Sequence, residues 1–377
     1  MVIGILKESG AETRVALLPE DVDKLVKQGV KVKVEEGAGN KSHFKDESYK
    51  NAGADICSKK DILSNSELII KVSEPSQEEI NGISEGKAFI GVFQPLFNFE
   101  CCQKLAARKI TSFSLDTIPR ITRAQAMDIL SSMSSLAGYK AVLLGASYLP
   151  RFFPMVTSAA VTIKPSQVLI IGVGVAGLQA IATAKRLGSV VYAFDTRPET
   201  KEQVQSLGGK FIQVGGESDA SKAGGYAVEQ TEEYKQKQAE LIHQQACKSD
   251  VIITTALIPG RKAPVLITKK TVQAMKPGSV IVDLASVNGG NCELTKNDQI
   301  IVEHDVTIIG NSNLSSSMAD DASRMFGKNV MNFLKLFIKN GKMEFDFNDE
   351  IVKGTCITHN GEIVNEKVLK MGQKVPA

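Results

Sequence analysis

The chain has 377 residues, of which 43% are hydrophobic and 23% charged, and its formal net charge is +3. Its length is well above the ~150 residues of an average domain, which predicts two domains or three. A charge so near balance, without a basic run, excludes the usual nucleic-acid-binding classes and is typical of an ordinary globular protein.

The sequence carries no signal for export or for membrane insertion. Its first residues, MVIGILKE, lack the charged start, long apolar core and cleavage site of a signal peptide. The longest apolar candidate, residues 137–154, is interrupted by Lys140 and Arg151. The six cysteines form no C-x-x-C and no metal-ligand spacing with the four histidines, so we expect reduced thiols and no metal site. These features predict a soluble cytoplasmic polypeptide.

The first 115 residues alternate between predicted strands and helices. Apolar runs indicate buried strands, and the strict alternation of residues 30–34 indicates a strand with one solvated face. Such an alternating series predicts a parallel-sheet domain. The strands are expected at 2–6, 30–34, 68–72, 88–93 and 111–115, and the helices at 20–28, 46–52 and 100–107.

Residues 116–131 carry polar side chains in front of a long helix. Pro119 disfavours helix just before it and Thr122 suits the N-cap, so a helix is predicted over 122–149. Gln125, Asp128 and Ser131 recur every three residues and are expected on roughly one helix face. Spacing alone leaves two interpretations open, a binding role or a solvated face with helix capping.

The chain is organised around residues 167–195. An apolar run ending in G-x-G-x-x-G, a helix-length segment and a second apolar run closed by an acid form the fingerprint of a dinucleotide-binding βαβ unit. Gly172 allows a tight turn, Gly174 lets the backbone approach the pyrophosphate, and Gly177 lets helix and strand pack closely. The pyrophosphate is expected at the helix N-terminus near Val175. The other interpretation is a structural glycine turn of any α/β protein.

Asp195 indicates which dinucleotide is bound. It lies eighteen residues past Gly177, where a carboxylate accepts hydrogen bonds from a ribose hydroxyl and repels a 2′-phosphate. NAD(H) is therefore favoured over NADP(H). Arg197, two residues on, argues the other way if it faces the ribose, but a turn arginine before a proline is more often solvated.

The rest of the chain continues the alternation. Residues 215–231 form a polar, Gly-rich connection in which Tyr226 either closes over a planar ligand or simply packs. The loop 256–261 follows a strand and should face the cofactor, because ligands lie outside the carboxyl ends of strands in a doubly wound sheet. Residues 346–377 are expected to be mostly irregular. Further strands are predicted at 211–214, 250–255, 280–284 and 306–309, and further helices at 199–207, 232–249 and 315–339.

The sequence thus predicts an α/β protein of two Rossmann-like parallel-sheet domains linked by long helices. The N-terminal Rossmann-like domain is placed at residues 1–130 plus 330–377, and the NAD(H)-binding Rossmann domain at 131–329.

Several long motifs resemble domain I of the proton-translocating nicotinamide nucleotide transhydrogenase. They are PRITRAQAMD at 119–128, AGLQAIATAKRLG at 176–188, AFDTRP at 193–198 and TTALIPGR at 254–261, with DLA at 283–285 and GGNCEL at 289–294 similar too. The resemblance spans nearly the whole chain.

This resemblance implies an NAD(P)+ transhydrogenase subunit that binds NAD(H) and forms a homodimer. It implies an NADP(H)-binding domain on a partner beta subunit and membrane-spanning partner chains that carry proton translocation. Some members fuse this domain to transmembrane helices, whereas this chain resembles the split version. The expected location is the cytoplasm, peripheral to the inner face of the bacterial plasma membrane.

The resemblance also implies roles for individual residues. Arg120, Gln125, Asp128 and Ser131 match the loop around the nicotinamide, and Tyr226 matches the mobile loop. The predicted catalytic residues are Arg120, Gln125, Asp128, Ser131 and Tyr226. The predicted cofactor-binding residues are Arg120, Ile121, Thr122, Arg123, Gln125, Gly172, Gly174, Val175, Ala176, Gly177, Asp195, Thr196, Arg197, Gly225, Thr255, Ala256 and Leu257.

The sister family, alanine dehydrogenase, is an alternative, since it shares the pattern seen here as Lys7-Glu8 and RVAL at 14–17. Its substrate site uses a Lys before a Glu-Pro pair and a His after the next strand, and these positions match Ser73 and Gln94. Amine oxidation needs a proton acceptor, which neither side chain supplies. Direct hydride transfer between two nicotinamides needs only positioning. A catalytically silent NAD sensor is the third possibility.

Overall fold

The structure, a computed structural model, describes residues 1–213, 232–258, 261–339 and 341–372. The chain divides into two compact units, Met1–Met133 with Ser316–Ala377 and Ser134–Ser315. Each unit is built on its own largely parallel sheet, which confirms the prediction of an α/β protein with two parallel-sheet domains.

The first unit contains an eight-stranded sheet within the described residues. Its six inner strands are parallel, and the last two, from the C-terminal region of the chain, add antiparallel at one edge. In spatial order the strands are Glu362–Ile363, Cys356–His359, Thr111–Ser114, Ala88–Gly91, Leu68–Ile70, Val2–Ile5, Lys31–Glu35 and Asp55–Cys57. A separate two-stranded pair joins Ile338–Lys339 to Lys342–Met343.

Helices cover the sheet of the first unit. The helix Ala319–Leu334 buries Phe326 and Phe333, and the Phe333 ring meets Phe113 of the sheet at a centroid distance of 5.7 Å. The other α-helices are Pro19–Lys27, Asp46–Asn51, Lys59–Asn65, Gln77–Gly82, Phe99–Ala107, Glu350–Thr355 and Glu366–Gly372, and the 3₁₀ helices are Asn40–Ser42, Leu115–Thr117, Thr122–Met127 and Leu314–Met318.

The second unit contains a seven-stranded sheet within the described residues. Six strands are parallel, and Gln299–Glu303 pairs antiparallel at one edge. In spatial order the strands are Lys210–Phe211, Val190–Phe194, Gln167–Ile171, Val251–Thr254, Val280–Asp283, Val306–Gly310 and Gln299–Glu303. Its helices are Val175–Arg186, Thr200–Ser206, Glu232–Ala246, Lys269–Ala274 and the 3₁₀ turn Ser286–Asn288, and a hairpin joins Val156–Thr157 to Thr162–Ile163.

Burial on both faces explains the apolar strands of the second unit. Along Gln167–Ile171, Val168 and Ile170 belong to one buried cluster while Leu169 and Ile171 belong to another. Alternate residues therefore face opposite sides of the sheet, and both sides are covered, as expected for a doubly wound sheet.

The chain passes between the units within the helix Ile129–Tyr148. Among the described residues, this helix alone has the length and apolar composition needed to cross a bilayer, with a mean hydropathy of 1.2 and a single charged residue, Lys140. The sequence did not indicate such a segment, because an uncharged run was required there. Core helices of globular proteins pass the same test, so no membrane span follows from it.

Three expectations from the sequence need correction. The long helix begins at Ile129 rather than at 122, and residues 122–127 form a 3₁₀ helix. The C-terminal region is not mostly irregular, because Cys356–His359 pairs with Thr111–Ser114. The units divide at 133/134 and 315/316, not at 130/131 and 329/330. The second boundary moves because the helix Ala319–Leu334 buries its apolar face within the first unit.

Candidate nucleotide site

The fingerprint segment forms the expected strand, turn and helix. The strand Gln167–Ile171 lies in the middle of the second sheet, and the helix Val175–Arg186 follows directly. Gly172 has a φ of +93°, in the left-handed region that favours glycine. A Cβ at Gly172 would also lie 2.6 Å from Thr255 Oγ1. The turn therefore requires glycine both for its backbone conformation and for its close neighbour.

Gly177 and Gly174 have opposite surroundings. A Cβ at Gly177 would lie 2.0 Å from the carbonyl oxygen of Gly172, so only glycine lets the helix pack this closely on the strand. A Cβ at Gly174 would meet no atom within 4 Å. The protein thus has no packing reason for glycine at 174. The open space there fits a ligand that approaches the backbone closely, as a pyrophosphate does.

The N-terminus of this helix suits an anion. Gly174 is the N-cap residue, and no side chain caps the first turn. Val175 at the start of the helix is 42% exposed. Uncapped N–H groups and the helix dipole together favour negative charge, so the first turn can hold a diphosphate without a basic side chain.

Asp195 follows the neighbouring strand, Val190–Phe194, and faces the same turn. Its Oδ2 accepts the backbone N–H of Val173 at 2.7 Å. The Arg197 guanidinium donates to both carboxylate oxygens, from Nε to Oδ1 and from Nη2 to Oδ2, each at 2.9 Å. This bidentate pair raises the pKa of Arg197 further above its ordinary value. The acid is therefore fixed beside the glycine turn, and Thr196 lies between the two paired residues.

The loop after the strand Val251–Thr254 forms the opposite side of the turn. Thr255 Oγ1 donates to the carbonyl of Gly172 at 3.0 Å. Leu257 and Ile258 then stand 50% and 39% exposed. The strands that end just before Asp195 and Thr255 flank the fingerprint strand on its two sides, so Gly172 lies at the point where the strand order reverses. Thr255, Ala256 and Leu257 thus lie at this crevice, as the sequence predicted.

Sequence reasoning missed Asn291, which is fully buried in the second unit. Its side-chain amide bonds to both the N–H and the carbonyl of Ala256, each at 2.9 Å. The available signal was local: a buried strand closed by Asp283 and then a Gly289-Gly290 pair before Asn291. The partner, however, lies thirty-five positions away in sequence.

The predicted residues around 120–131 belong to the first unit. Arg120, Thr122 and Gln125 lie toward its surface, and Arg123 forms a two-bond ion pair with Asp349, at 2.7 and 3.0 Å. The pKa of Asp349 is lowered, with the hydrogen bond from Arg123 as the main cause. Asp349 also caps the helix Glu350–Thr355. Arg123 therefore has a structural partner, and Ile121 precedes the 3₁₀ helix as its N-cap residue.

Asp128 and Ser131 do not share a helix face with Gln125. Asp128 Oδ1 accepts the N–H of Ser131 at 3.0 Å and its Oδ2 accepts the Ser131 hydroxyl at 2.6 Å. Asp128 thus breaks the chain between the 3₁₀ helix and the helix Ile129–Tyr148, which explains the late start of the long helix. The expectation of a single polar stripe was wrong, since Gln125 lies in the 3₁₀ helix.

The site residues fall into one group in each unit, and Gly225 and Tyr226 lie outside the described residues. Within the portion of the chain that is described, no three His, Cys, Asp or Glu side chains group as metal ligands. The chemistry of the second unit's group is that of a backbone cradle for a dinucleotide.

Models of one family match nearly the whole chain. The family described as alanine dehydrogenase/PNT matches with its N-terminal domain at residues 4–137 and with its C-terminal domain at residues 141–366. The chain belongs to the alanine dehydrogenase/PNT family. The predicted fold class and the predicted enzyme class, an oxidoreductase subunit, are confirmed.

Within the alanine dehydrogenase/PNT family, the chain is more similar to transhydrogenases. The first of the separate chains of NAD(P) transhydrogenase subunit alpha from Rhodospirillum rubrum is 49% identical over 383 residues, which cover 99% of this chain and 100% of that protein. The crystal structure of transhydrogenase from Sinorhizobium meliloti has a TM-score of 0.88 and 42% identity, covering 97% of this chain and 100% of that one. Alanine dehydrogenase of Mycolicibacterium smegmatis is 29% identical over 98% of this chain and 96% of its own length. The resemblance predicted from the motifs is confirmed, with alanine dehydrogenase as the more distant relative.

Proposed function

We propose that this chain is the NAD(H)-binding subunit of a proton-translocating NAD(P)+ transhydrogenase. The observation that carries the proposal is the open, uncapped helix start at Gly174, backed by Asp195, in a chain that matches a transhydrogenase alpha subunit over nearly its whole length. The residues present fit the dinucleotide, because the cradle leaves space at the one fingerprint glycine that the protein's own packing does not need.

The polypeptide's role in the reaction is to bind and orient. When bound, NADH supplies a hydride to the NADP+ held on a partner subunit, and no proton is released at the reacting carbons. The backbone at Gly174 holds the diphosphate, and the exposed Gln125 is suited to orienting a carboxamide. Arg120, Asp128 and Ser131 complete the proposed nicotinamide loop, with Tyr226 as its proposed cover.

The first unit lacks the groups that alanine dehydrogenation needs. The Ser73 hydroxyl donates to Glu8, whose other oxygen accepts the N–H of Val72 at 2.5 Å. Arg14, a cation that could otherwise hold a substrate carboxylate, is forked onto Glu12, from Nε at 2.7 Å and from Nη2 at 2.6 Å. Burial opposes ionisation of Glu12, but the bonds from Arg14 outweigh it and lower its pKa to about 2. These contacts favour transhydrogenation over amine oxidation.

Asp195 supports NAD(H) as the ligand of this subunit. Its carboxylate is 7% exposed and holds the guanidinium of Arg197, the cation that a 2′-phosphate would otherwise attract. The carboxylate would repel that phosphate, while a ribose hydroxyl can donate to it. The preference for NADH therefore depends on the Asp195–Arg197 pair as a unit.

We expect Asp195→Asn to shift the preference toward NADPH. The amide keeps an acceptor for the N–H of Val173 but loses the negative charge, and it no longer neutralises Arg197. The ratio of the NADH to the NADPH dissociation constant, measured by calorimetry, should rise at least about tenfold, which is about 1.4 kcal/mol. Adding Arg197→Ala to this variant should remove the gain for NADPH. An unchanged ratio in Asp195→Asn would contradict the assignment of Asp195.

The proposed partners follow from the printed names of the relatives. A subunit alpha that is divided into more than one chain implies further subunits, which we propose to be an NADP(H)-binding beta subunit and membrane-spanning chains. The chain would then lie in the cytoplasm, peripheral to the inner face of the bacterial plasma membrane. We propose a homodimer, supported by three large apolar side chains that are more than half exposed near the hairpin of the second unit, Phe152, Met155 and Val161.

Mixing experiments separate the proposal from its rivals. The purified chain, mixed with a partner NADP(H)-binding domain, should transfer hydride from NADH to an NADP+ analogue with a shifted absorbance maximum. An alanine-dehydrogenase-like enzyme would instead oxidise NADH with pyruvate and ammonia. A silent NAD sensor would bind NADH and transfer nothing. Absence of transfer, with both proteins folded and binding nucleotide, would overturn the proposal.

A further inference from the structure

Asn291 lies in the loop after the strand Val280–Asp283, and its side chain uses its amide fully. Oδ1 accepts the N–H of Ala256 at 2.9 Å, and Nδ2 donates to the carbonyls of Ala256 at 2.9 Å and Pro264 at 2.8 Å. One amide therefore pins the loop that follows the strand Val251–Thr254 at two places, near its beginning and near its end.

Asn291 is itself held in place by a buried acid. Asp283, fully buried at the end of its strand, accepts the N–H groups of Asn291 at 2.8 Å and Cys292 at 3.0 Å through Oδ2. The same oxygen accepts the Thr295 hydroxyl at 2.7 Å, and Oδ1 accepts the N–H of Ala285 at 3.0 Å. The side chain of Asn291 thus projects from a backbone that has little freedom to move.

The pinned loop is one wall of the nucleotide crevice. A Cβ at Gly172 would lie 3.1 Å from the N atom of Ala256, so this loop touches the first glycine of the fingerprint. Because Asn291 occupies the Ala256 N–H, that group is not available to a ligand. The wall therefore offers apolar contact, from Ala256 and from the exposed side chains of Leu257 and Ile258.

The two sides of the crevice face different halves of the dinucleotide. Asp195, on one side of the fingerprint strand, is placed for the adenosine ribose, and the Ala256 loop lies on the other side. A dinucleotide that spans the reversal point, with its diphosphate on the helix start, directs its second half toward the Ala256 loop. A planar ring gains most from an apolar wall of fixed position.

We propose that Asn291 is a positioning residue for the nicotinamide half of the dinucleotide, acting through the Ala256 loop. This inference rests on the proposed function, since it takes NADH as the ligand. Asn291 itself touches no ligand atom. It sets the position of the apolar wall, as a partner behind the binding groups does in metal sites.

A purely structural role must be separated from this one, because any buried asparagine stabilises its surroundings. Asn365, in the first unit, supplies a matched control. It is buried, its Nδ2 donates to the carbonyls of Gly354 and Cys356 at 3.0 and 3.2 Å, and its Oδ1 accepts two backbone N–H groups. It therefore ties backbone segments together as Asn291 does, without belonging to the second unit.

The experiment compares Asn291→Ala, Asn291→Asp and Asn365→Ala for thermal stability and for affinity toward NADH and AMP. AMP carries the adenosine ribose but no nicotinamide. We expect all three variants to lose stability, and both Asn291 variants to bind NADH about tenfold more weakly while their affinity for AMP changes by less than about twofold. Asn291→Asp should fail because it keeps the acceptor but loses both donors. Asn365→Ala should bind both nucleotides like the wild type.

Equal losses for NADH and AMP in the Asn291 variants, or unchanged affinity for both, would overturn the positioning role. If an Asn291 variant does not fold, the other one and the wild type in mild denaturant supply the comparison. A wild-type chain that does not bind NADH at all would instead refute the proposed function, so the two failures are distinguishable.

Discussion

Gly174→Ala is expected to abolish most NADH binding while leaving the protein as stable as the wild type. The added Cβ meets no protein atom within 4 Å, and the backbone angles at 174, φ −81° and ψ −165°, are open to any residue. The free energy of unfolding should therefore change by less than about 0.5 kcal/mol. The methyl group enters the space proposed for the diphosphate, so the dissociation constant for NADH should rise about 100-fold, or about 2.7 kcal/mol.

Gly177→Ala is the informative contrast, since its Cβ would lie 2.0 Å from the carbonyl oxygen of Gly172. This variant should lose about 1–3 kcal/mol of stability through overpacking of helix against strand. Urea unfolding and NADH titration of both variants would separate the two roles. Full NADH affinity in a folded Gly174→Ala protein would mean that the dinucleotide does not lie on this turn.

Gln125→Ala is expected to slow hydride transfer about 100-fold while the NADH dissociation constant stays within about twofold. Gln125 is exposed in the 3₁₀ helix Thr122–Met127, so its removal leaves no cavity. Its proposed role is to orient the ring. An error in orientation slows a reaction that depends on alignment more than it weakens binding.

The measurement is the rate of transfer from NADH to an NADP+ analogue on the partner domain, with the NADH affinity determined separately. Gln103→Ala is the matched control, because Gln103 is also an exposed glutamine of the first unit, in the helix Phe99–Ala107. This control should leave both quantities unchanged. Equal losses in rate and affinity for Gln125→Ala would demote Gln125 to a simple binding residue.

The features of the fold and site that sequence predicted are those set by local chemistry. The turn at Gly172 and the helix start at Gly174 depend on residues adjacent in the chain, and the acid after the next strand follows within one βαβ unit. The alternating apolar runs identified the central strands because both faces of each sheet are buried.

The features that sequence missed depend on distant partners or on competition within a few residues. Cys356–His359 becomes a strand by pairing with Thr111–Ser114, a partner that no local pattern indicates. Asn291 meets Ala256 only after two strands are laid side by side. Asp128 ends one helix and begins another by taking the N–H of Ser131, although the apolar periodicity around it is continuous.

The most direct test of the proposed binding mode is a crystal structure of this chain with NADH bound. We expect the diphosphate on the backbone N–H groups that follow Gly174, with the adenosine ribose hydroxyls donating to Asp195. A dinucleotide bound away from this turn, or one whose ribose avoids Asp195, would contradict that binding mode.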